Sequence, residues 1–157
     1  MYALILDANG QYDQAEKAYR KSLDLDSSSV VTRLYLGENL LTQKKYPEAI
    51  SVLSELVKIQ DGALHRKRLG EAYAGEGKDA DAFTQYRAAL KLDANYYPAL
   101  NAMGELYIIE YKKSLGLEDD KRKAALDAWQ QSLSIKRLQA NIMARIQEYA
   151  KAPMFQH

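Results

Sequence analysis

Apolar residues recur along most of this chain three and four positions apart, with polar residues between them. That spacing places the apolar side chains on one face of an α-helix. The pattern comes in pairs, because one segment contains Leu36 and Leu40 and the next contains Ala49 and Leu53. Turn-forming stretches such as QKKYP and GEGKD separate the two members of a pair. The pattern therefore predicts helices joined into hairpins.

The hairpins form a repeat, because two sets of small residues recur with the same period. The first set is spaced by 34, 33 and 34 residues and consists of Ala3, Gly37, Gly70 and Gly104. The second set is spaced by 34, 33 and 43 residues and consists of Ala15, Ala49, Ala82 and Ala125. A period between 20 and 50 residues is typical of stacked helical or strand repeats.

The repeated glycines lie inside predicted helices, in the stretches LGENL, LGEAY and MGELY. Glycine inside a helix costs about 1 kcal/mol relative to alanine. The cost is offset if the missing side chain lets two helices approach closely and bury the larger residues around the contact. We therefore predict that each glycine lies at the crossing of the two helices of its hairpin, facing an alanine of the second helix.

These units resemble tetratricopeptide (TPR) repeats. The stretch from Leu69 to Leu90, LGEAY…ADAFTQYRAAL, has Leu-Gly, an aromatic residue three positions on, and then alanine, an aromatic residue and alanine in the second helix. The resemblance implies an all-α, right-handed superhelical stack of antiparallel hairpins (a TPR-type α-solenoid) with a C-terminal capping helix. The proline that usually closes each unit is replaced here by Ser27, Asp61, Ala94 and Arg137.

The expected organisation is a single TPR domain, 1–157. Its parts are a truncated first repeat at about 1–27, further repeats at 28–61, 62–94 and 95–137, a capping helix at 138–152 and a tail at 153–157. Since Met1 falls inside a repeat, we expect further repeats or another domain upstream, and a first repeat that is frayed or covered by another molecule.

The fourth repeat carries an insertion at about 110–122. We expect a longer first helix, a turn at Gly116 and a second helix capped by Asp119 or Asp120. The protruding hairpin is either a tolerated insertion or a lip that contacts a partner or another subunit. In the capping helix, the apolar face consists of Leu138, Ile142, Ile146 and Tyr149, and Pro153 ends the helix.

The resemblance also implies that the first helix of each hairpin lines a concave groove. Helical spacing then turns a row of glutamates inward, Glu38, Glu71 and Glu105. Either nearby cations neutralise the row, with Lys67 beside Glu71 and Arg68 between Glu38 and Glu105, or the row attracts a basic or amide-rich peptide. The predicted peptide-binding groove consists of Leu34, Tyr35, Glu38, Leu41, Lys67, Arg68, Glu71, Asn101, Glu105 and Ile108.

A different TPR ligand is disfavoured. TPR co-chaperones hold an acidic C-terminus with a clamp of lysine, asparagine and arginine, and Lys67, Arg68 and Asn101 are of these types. Glutamates stand where such a clamp has asparagine, however, and they would repel a carboxylate.

Composition excludes several other classes. The 22 basic and 21 acidic side chains give a formal net charge of +1, which argues against binding nucleic acid through bulk charge. There is no cysteine, no apolar run near the roughly 18 residues of a membrane span, and no signal-peptide pattern. His65 is expected on the surface, and no catalytic or phosphate-binding motif is found. We predict no cofactor and no metal; the compartment stays open, with the cytoplasm slightly favoured.

The sequence therefore predicts a non-catalytic protein-interaction module or scaffold that holds a partner peptide or helix in its groove. One alternative is a structural unit that self-associates through its N-terminal edge or the hairpin of the fourth repeat. The other is a regulatory or substrate-recruiting segment of a larger enzyme.

Overall fold

The computed structural model describes residues 2–151, and this part of the chain contains α-helices and no strands. The helices are α1 (Tyr2–Ala8), α2 (Tyr12–Leu25), α3 (Val30–Thr42), α4 (Tyr46–Ile59), α5 (Ala63–Gly75), α6 (Asp79–Leu92), α7 (Tyr97–Lys113), α8 (Asp119–Ile135) and α9 (Ala140–Ala150). The all-α prediction is confirmed. The expected tail at 153–157, including Pro153, lies outside the described residues.

The chain divides into two compact units. The first, Met1–Leu92, contains three hairpins, α1 with α2, α3 with α4, and α5 with α6. Successive hairpins pack through α2 on α3 and through α4 on α5. The second unit, Asp93–His157, pairs α7 with α8 and packs α9 on α8. The predicted stack of paired helices is therefore present within the first unit.

Each first helix of the first unit is followed, two residues after its last residue, by a residue in the left-handed backbone conformation. Gly10, Lys44 and Gly77 have φ angles of 75°, 59° and 80°, and they recur at the repeat spacing. In the longer hairpin of the second unit, Leu115 and Gly116 take this role, with φ angles of 55° and 79°. Glycine reaches this conformation without steric cost, and the predicted turn at Gly116 is observed.

The repeated glycines lie where the two helices of a hairpin meet, as predicted, but their neighbours differ from the prediction. A Cβ added at Gly70 would lie 2.5 Å from Cε1 of Tyr86, and Cβ atoms at Gly37 and Gly104 would overlap Leu53 and Trp129. The prediction that each glycine faces an alanine was wrong. In the second helix, the alanine lies one turn before the large residue. The glycine of the first helix makes room for that large side chain.

The hairpin of the second unit is longer than the others, since α7 and α8 have 17 residues each. The predicted cap by Asp119 or Asp120 was wrong, because Glu118 holds the N-cap position and its side chain makes no capping hydrogen bond. Instead, Asp119 Oδ1 accepts a hydrogen bond from Arg122 Nε at 2.6 Å. Arg122 Nη1 also donates to the carbonyl of Tyr149 at 2.7 Å, which ties α8 to α9.

The last helix covers the apolar end of the second unit. Ile142 and Tyr149 are buried in a cluster with Trp129, and Ile146 packs against it. Leu138 does not join this face, because it precedes the helix and is 90% exposed. The capping helix is thus built from the predicted apolar positions other than Leu138.

We expect Gly70→Ala to destabilise the first unit. The added methyl group meets the buried Tyr86 ring, and overpacking of this kind costs about 1–3 kcal/mol. Urea unfolding followed by circular dichroism measures the change. Ser51→Ala, at an exposed position inside α4, is the matched control and should be neutral or slightly stabilising. Equal effects of the two substitutions would contradict the packing role of Gly70.

Candidate functional site

A cleft of about 600 Å³ opens on the first unit where α1, α3 and α5 approach one another. Its charged members are Asp7, Glu38, Arg68 and Glu71, and it is completed by Leu41, Thr42, Tyr46 and Gly75. Four predicted groove residues, Glu38, Leu41, Arg68 and Glu71, therefore line one surface. We call this surface the α3–α5 cleft.

Arg68 bridges the two glutamates of the cleft. Its Nε donates to Glu38 Oε1 at 2.7 Å, and its Nη1 donates to Glu71 Oε2 at 3.0 Å. Lys67 Nζ lies 2.5 Å from Glu71 Oε1, as predicted. Burial opposes the charged guanidinium, but Glu71 and Glu38 outweigh burial and raise the pKa of Arg68. The second carboxylate that Arg68 pairs with is thus Glu71 on its own helix, and the expected pairing with Glu105, a residue of the other unit, stays a prediction.

Asp7 also lines the cleft, and it is not among the residues predicted from the sequence. Its Oδ1 accepts a hydrogen bond from Asn39 Nδ2 at 3.0 Å, and its Oδ2 accepts one from the Tyr19 hydroxyl at 3.2 Å. Burial and the nearby Asp7 carboxylate raise the pKa of Tyr19, so this hydroxyl stays a donor. The sequence did contain a signal for such a buried polar contact, because Asn39 is a polar residue at a position that helical spacing assigns to the core.

A second polar cluster continues from Asn39 and joins the first two hairpins. Gln43 Nε2 donates to Asn39 Oδ1 at 2.6 Å and to Glu16 Oε2 at 3.0 Å. Glu16 also accepts from Lys45 Nζ at 2.8 Å and pairs with Arg20 at 2.9 Å. Partial burial raises the pKa of Glu16, but the hydrogen bonds from Lys45, Arg20 and Gln43 outweigh burial, and the pKa falls below its ordinary value of 4.5.

Three predicted groove residues of the first unit do not line the cleft: Lys67, which pairs with Glu71 beside it, Leu34 and Tyr35. Leu34 packs against the core. Tyr35 also packs against the core, and its ring stacks on that of Tyr19 with centroids 6.3 Å apart. Tyr35 lines a separate apolar groove beside α1 and α2.

The remaining three predicted residues belong to the second unit and are engaged there. Asn101 Nδ2 donates to Gln139 Oε1 at 2.7 Å. Glu105 is held by Arg145 of α9, with Oε1 and Oε2 at 3.0 and 2.9 Å from Nε and Nη2. Ile108 is 2% exposed in the core around Trp129, so it offers no surface to a partner.

Other candidate chemistry is limited within residues 2–151. His65 is buried rather than on the surface, and its Nδ1 lies 2.8 Å from the carbonyl of Gln60. His157 lies outside the described part. Over those same residues, no three histidine, aspartate or glutamate side chains are grouped so that they could hold a metal ion. None of the helices described has both the length and the apolar character needed to span a bilayer.

We expect Arg68→Met to lower the free energy of unfolding by about 1 kcal/mol, because it leaves Glu38 and Glu71 without their shared cation. The loss should shrink between 50 mM and 1 M salt, since salt screens the repulsion of the two carboxylates. Urea unfolding at both salt concentrations measures it. Arg137→Met, an exposed arginine between α8 and α9, is the control. A loss that is independent of salt would argue against repulsion as its cause.

Glu16→Gln should destabilise the protein by about 1 kcal/mol at pH 7, with a loss that depends on pH. The pKa of Glu16 is lower in the folded state than the ordinary 4.5, so its ionised form stabilises the fold above that pH. This contribution disappears as the pH falls from about 4.5 through the folded-state pKa. Urea unfolding of both proteins between pH 7 and pH 3 should show curves that converge at the acidic end. A constant difference would rule out a role for the charge.

Known proteins resemble parts of this chain. Residues 8–69 match the family model described as tetratricopeptide repeat. A probable UDP-N-acetylglucosamine–peptide N-acetylglucosaminyltransferase of Arabidopsis thaliana, SPINDLY, is 31% identical over 103 residues, which are 65% of this chain. The chain spans 11% of that protein.

Solved structures extend the similarity to almost the whole chain. The crystal structure of MamA superposes with a TM-score of 0.76 at 25% identity and covers 95% of this chain and 82% of that one. The first TPR domain of Spaghetti (RPAP3), bound to the HSP90 peptide SRMEEVD, gives a TM-score of 0.66 at 18% identity. It covers 80% of this chain and 93% of the other, and at this identity the likeness is one of fold.

Proposed function

This chain is a tetratricopeptide repeat protein, and from that premise we propose that its α3–α5 cleft binds a basic segment of a partner protein. The repeat fold itself is that of a protein–protein interaction module. The proposed site lies in the first unit. The proposed ligand is a segment that carries lysine or arginine beside apolar residues. The chain acts without catalysis of its own.

The observation that carries the proposal is the charge of the cleft. Three carboxylates, Asp7, Glu38 and Glu71, face the cleft with one lining cation, Arg68. Lys67 pairs with Oε1 of Glu71, and the three carboxylates still exceed the two cations by one negative charge. A cleft of one sign concentrates ligands of the opposite sign and raises their rate of association.

Apolar surface beside the carboxylates supplies the remaining affinity. Leu41 and Tyr46 lie on the same cleft and are half-buried, so a ligand side chain can cover their exposed parts. Burial of apolar area stabilises a complex by about 25 cal/mol per Å² before the costs of association. Charge thus selects among candidate segments, while apolar contact holds the selected one.

The cleft is a poor site for an acidic peptide. SRMEEVD, the ligand of the Spaghetti (RPAP3) domain, contains three acidic side chains. In the α3–α5 cleft such a peptide would need the guanidinium of Arg68. That group already donates to Glu38 and Glu71, and these two carboxylates would repel an acidic peptide. We therefore expect this chain to differ from that domain in the charge of its ligand.

The similarity to SPINDLY favours a second candidate function. A TPR segment of a larger enzyme positions substrates for a catalytic domain elsewhere in the polypeptide, and 103 residues of this chain align with part of such a protein. A catalytic domain in the full-length reading frame would support this second function. Binding of a basic segment in the cleft is compatible with either.

Selection from a random-peptide display library on the whole chain tests the proposal. Enriched peptides should contain lysine or arginine next to apolar residues. The variant Glu38→Gln/Glu71→Gln should bind these peptides about three- to tenfold more weakly and show less salt dependence, because it lacks two carboxylates of the cleft.

The matched control is Asp24→Asn/Asp127→Asn, which removes two exposed carboxylates outside the cleft and should leave the affinity unchanged. Circular dichroism confirms that both variants fold. Enrichment of acidic peptides, or a basic preference that survives in Glu38→Gln/Glu71→Gln, would sink the proposal.

A further inference from the structure

The start of α3 contains a buried arginine whose hydrogen bonding is incomplete. Arg33 is 8% exposed, and its Nη2 donates to the carbonyl of Ser27 at 2.8 Å, so the guanidinium lies against the loop that precedes α3. Its Nε is 3.7 Å from Glu55 Oε2, which is too long for a hydrogen bond. Nη1 is buried and has no hydrogen-bond partner within residues 2–151. A buried donor without an acceptor costs free energy that an added acceptor recovers.

The next hairpin shows which group completes such an arginine. Arg66 holds the place of Arg33, because each is the fourth residue of its helix. The residue before the N-cap of α5 is Asp61, and its two carboxylate oxygens accept hydrogen bonds from Nε and Nη2 of Arg66 at 2.7 and 2.8 Å. Nη1 of Arg66 donates to Gln85 Oε1 at 2.9 Å. This guanidinium is fully satisfied, mainly by an anion from the preceding loop.

A serine stands where the third hairpin has that aspartate. Ser28 precedes the N-cap residue Ser29 as Asp61 precedes Gly62, one repeat of 33 residues later. The hydroxyl of Ser28 donates to Asp26 Oδ1 at 2.7 Å and is exposed. The side chain of Asp61 is 41% exposed, so this position faces solvent in both hairpins. The second hairpin therefore lacks the anion of the third and has an accessible hydroxyl in its place.

We propose that Ser28 is a modification site, at which a phosphoryl group on Oγ binds the guanidinium of Arg33 in the place that Asp61 takes beside Arg66. A serine kinase supplies the group from ATP. Oγ of Ser28 forms a bond to the γ-phosphorus, the bond between that phosphorus and the ADP oxygen breaks, and ADP and the hydroxyl proton are released. The site shares no residue with the α3–α5 cleft.

Two carboxylates near Arg33 set the balance of charge at this site. Asp26 loses the hydrogen bond from the Ser28 hydroxyl on phosphorylation, but Asp26 is exposed and can turn into solvent. The side chain of Glu55 is 59% exposed and can do the same. The phosphate carries up to about two negative charges and three acceptor oxygens, and it lies at a helix N-terminus, where negative charge is favourable. It is therefore the stronger partner for the guanidinium.

The whole chain with phosphoserine installed at position 28 during synthesis tests the contact. Its Tm should rise by about 2–4 °C over that of the unmodified chain. In ³¹P NMR titrations, the phosphate should lose its second proton at a lower pH than in a short phosphopeptide of the same sequence. The physical reason is the one by which the hydrogen bond from Arg66 lowers the pKa of Asp61. An unchanged Tm, or a titration equal to that of the peptide, would overturn the proposal.

Three variants test the position and the partner. Ser28→Asp copies Asp61 within the chain and should raise the Tm by about 2 °C. Ser27→Asp is the matched control, since it places the same charge at the same helix end where the third hairpin has Gln60, and its rise should be smaller. Arg33→Met should abolish the rise caused by Ser28→Asp, with both proteins of that comparison carrying Arg33→Met. Equal rises for the two aspartates, or a rise that survives Arg33→Met, would contradict the pairing.

Mass spectrometry of the chain isolated from its own cells in the presence of phosphatase inhibitors tests whether the site is used. Trypsin releases residues 22–33, SLDLDSSSVVTR, and fragmentation of this peptide distinguishes Ser28 from the serines on either side. Phosphate should be found on Ser28, and a peptide that carries none there would rule out the modification. None of these measurements involves a ligand of the cleft, so their outcome is independent of the proposed function.

Discussion

The close approach of two helices at a glycine is the contact on which the rest of this structure depends. Three glycines inside helices lower the helix propensity, and these are Gly37, Gly70 and Gly104. Their missing side chains let Leu53, Tyr86 and Trp129 lie against the backbone of the partner helix. Each hairpin gains a buried large side chain at a fixed distance along its axis. Because the same contact recurs at the repeat period, the two helices of each hairpin pair in the same register. Polar residues next to the glycines therefore occupy equivalent positions in their hairpins.

The α3–α5 cleft follows from that register. Glu38 and Glu71 each come directly after a repeated glycine, so they arrive on the same face of neighbouring hairpins. Two like charges at such a place require a cation, and Arg68 supplies it from the second of the two helices. The third glutamate, Glu105, satisfies the same requirement differently, through Arg145 of the last helix. A repeated sequence feature has therefore acquired different surroundings in the two units.

The sequence by itself determined the helices, their pairing, the turn at Gly116 and the close contacts of the glycines, because these follow from local spacing and from the absence of a side chain. Of the ten groove residues predicted from it, four line one cleft. Only the tertiary structure decided which side chain each glycine faces, that Arg68 pairs with Glu71, that Ile108 is buried in the core and that Asp7 lines the cleft. The physical reason is that spacing along a helix specifies a face, whereas burial and ion pairing depend on which other helix covers that face.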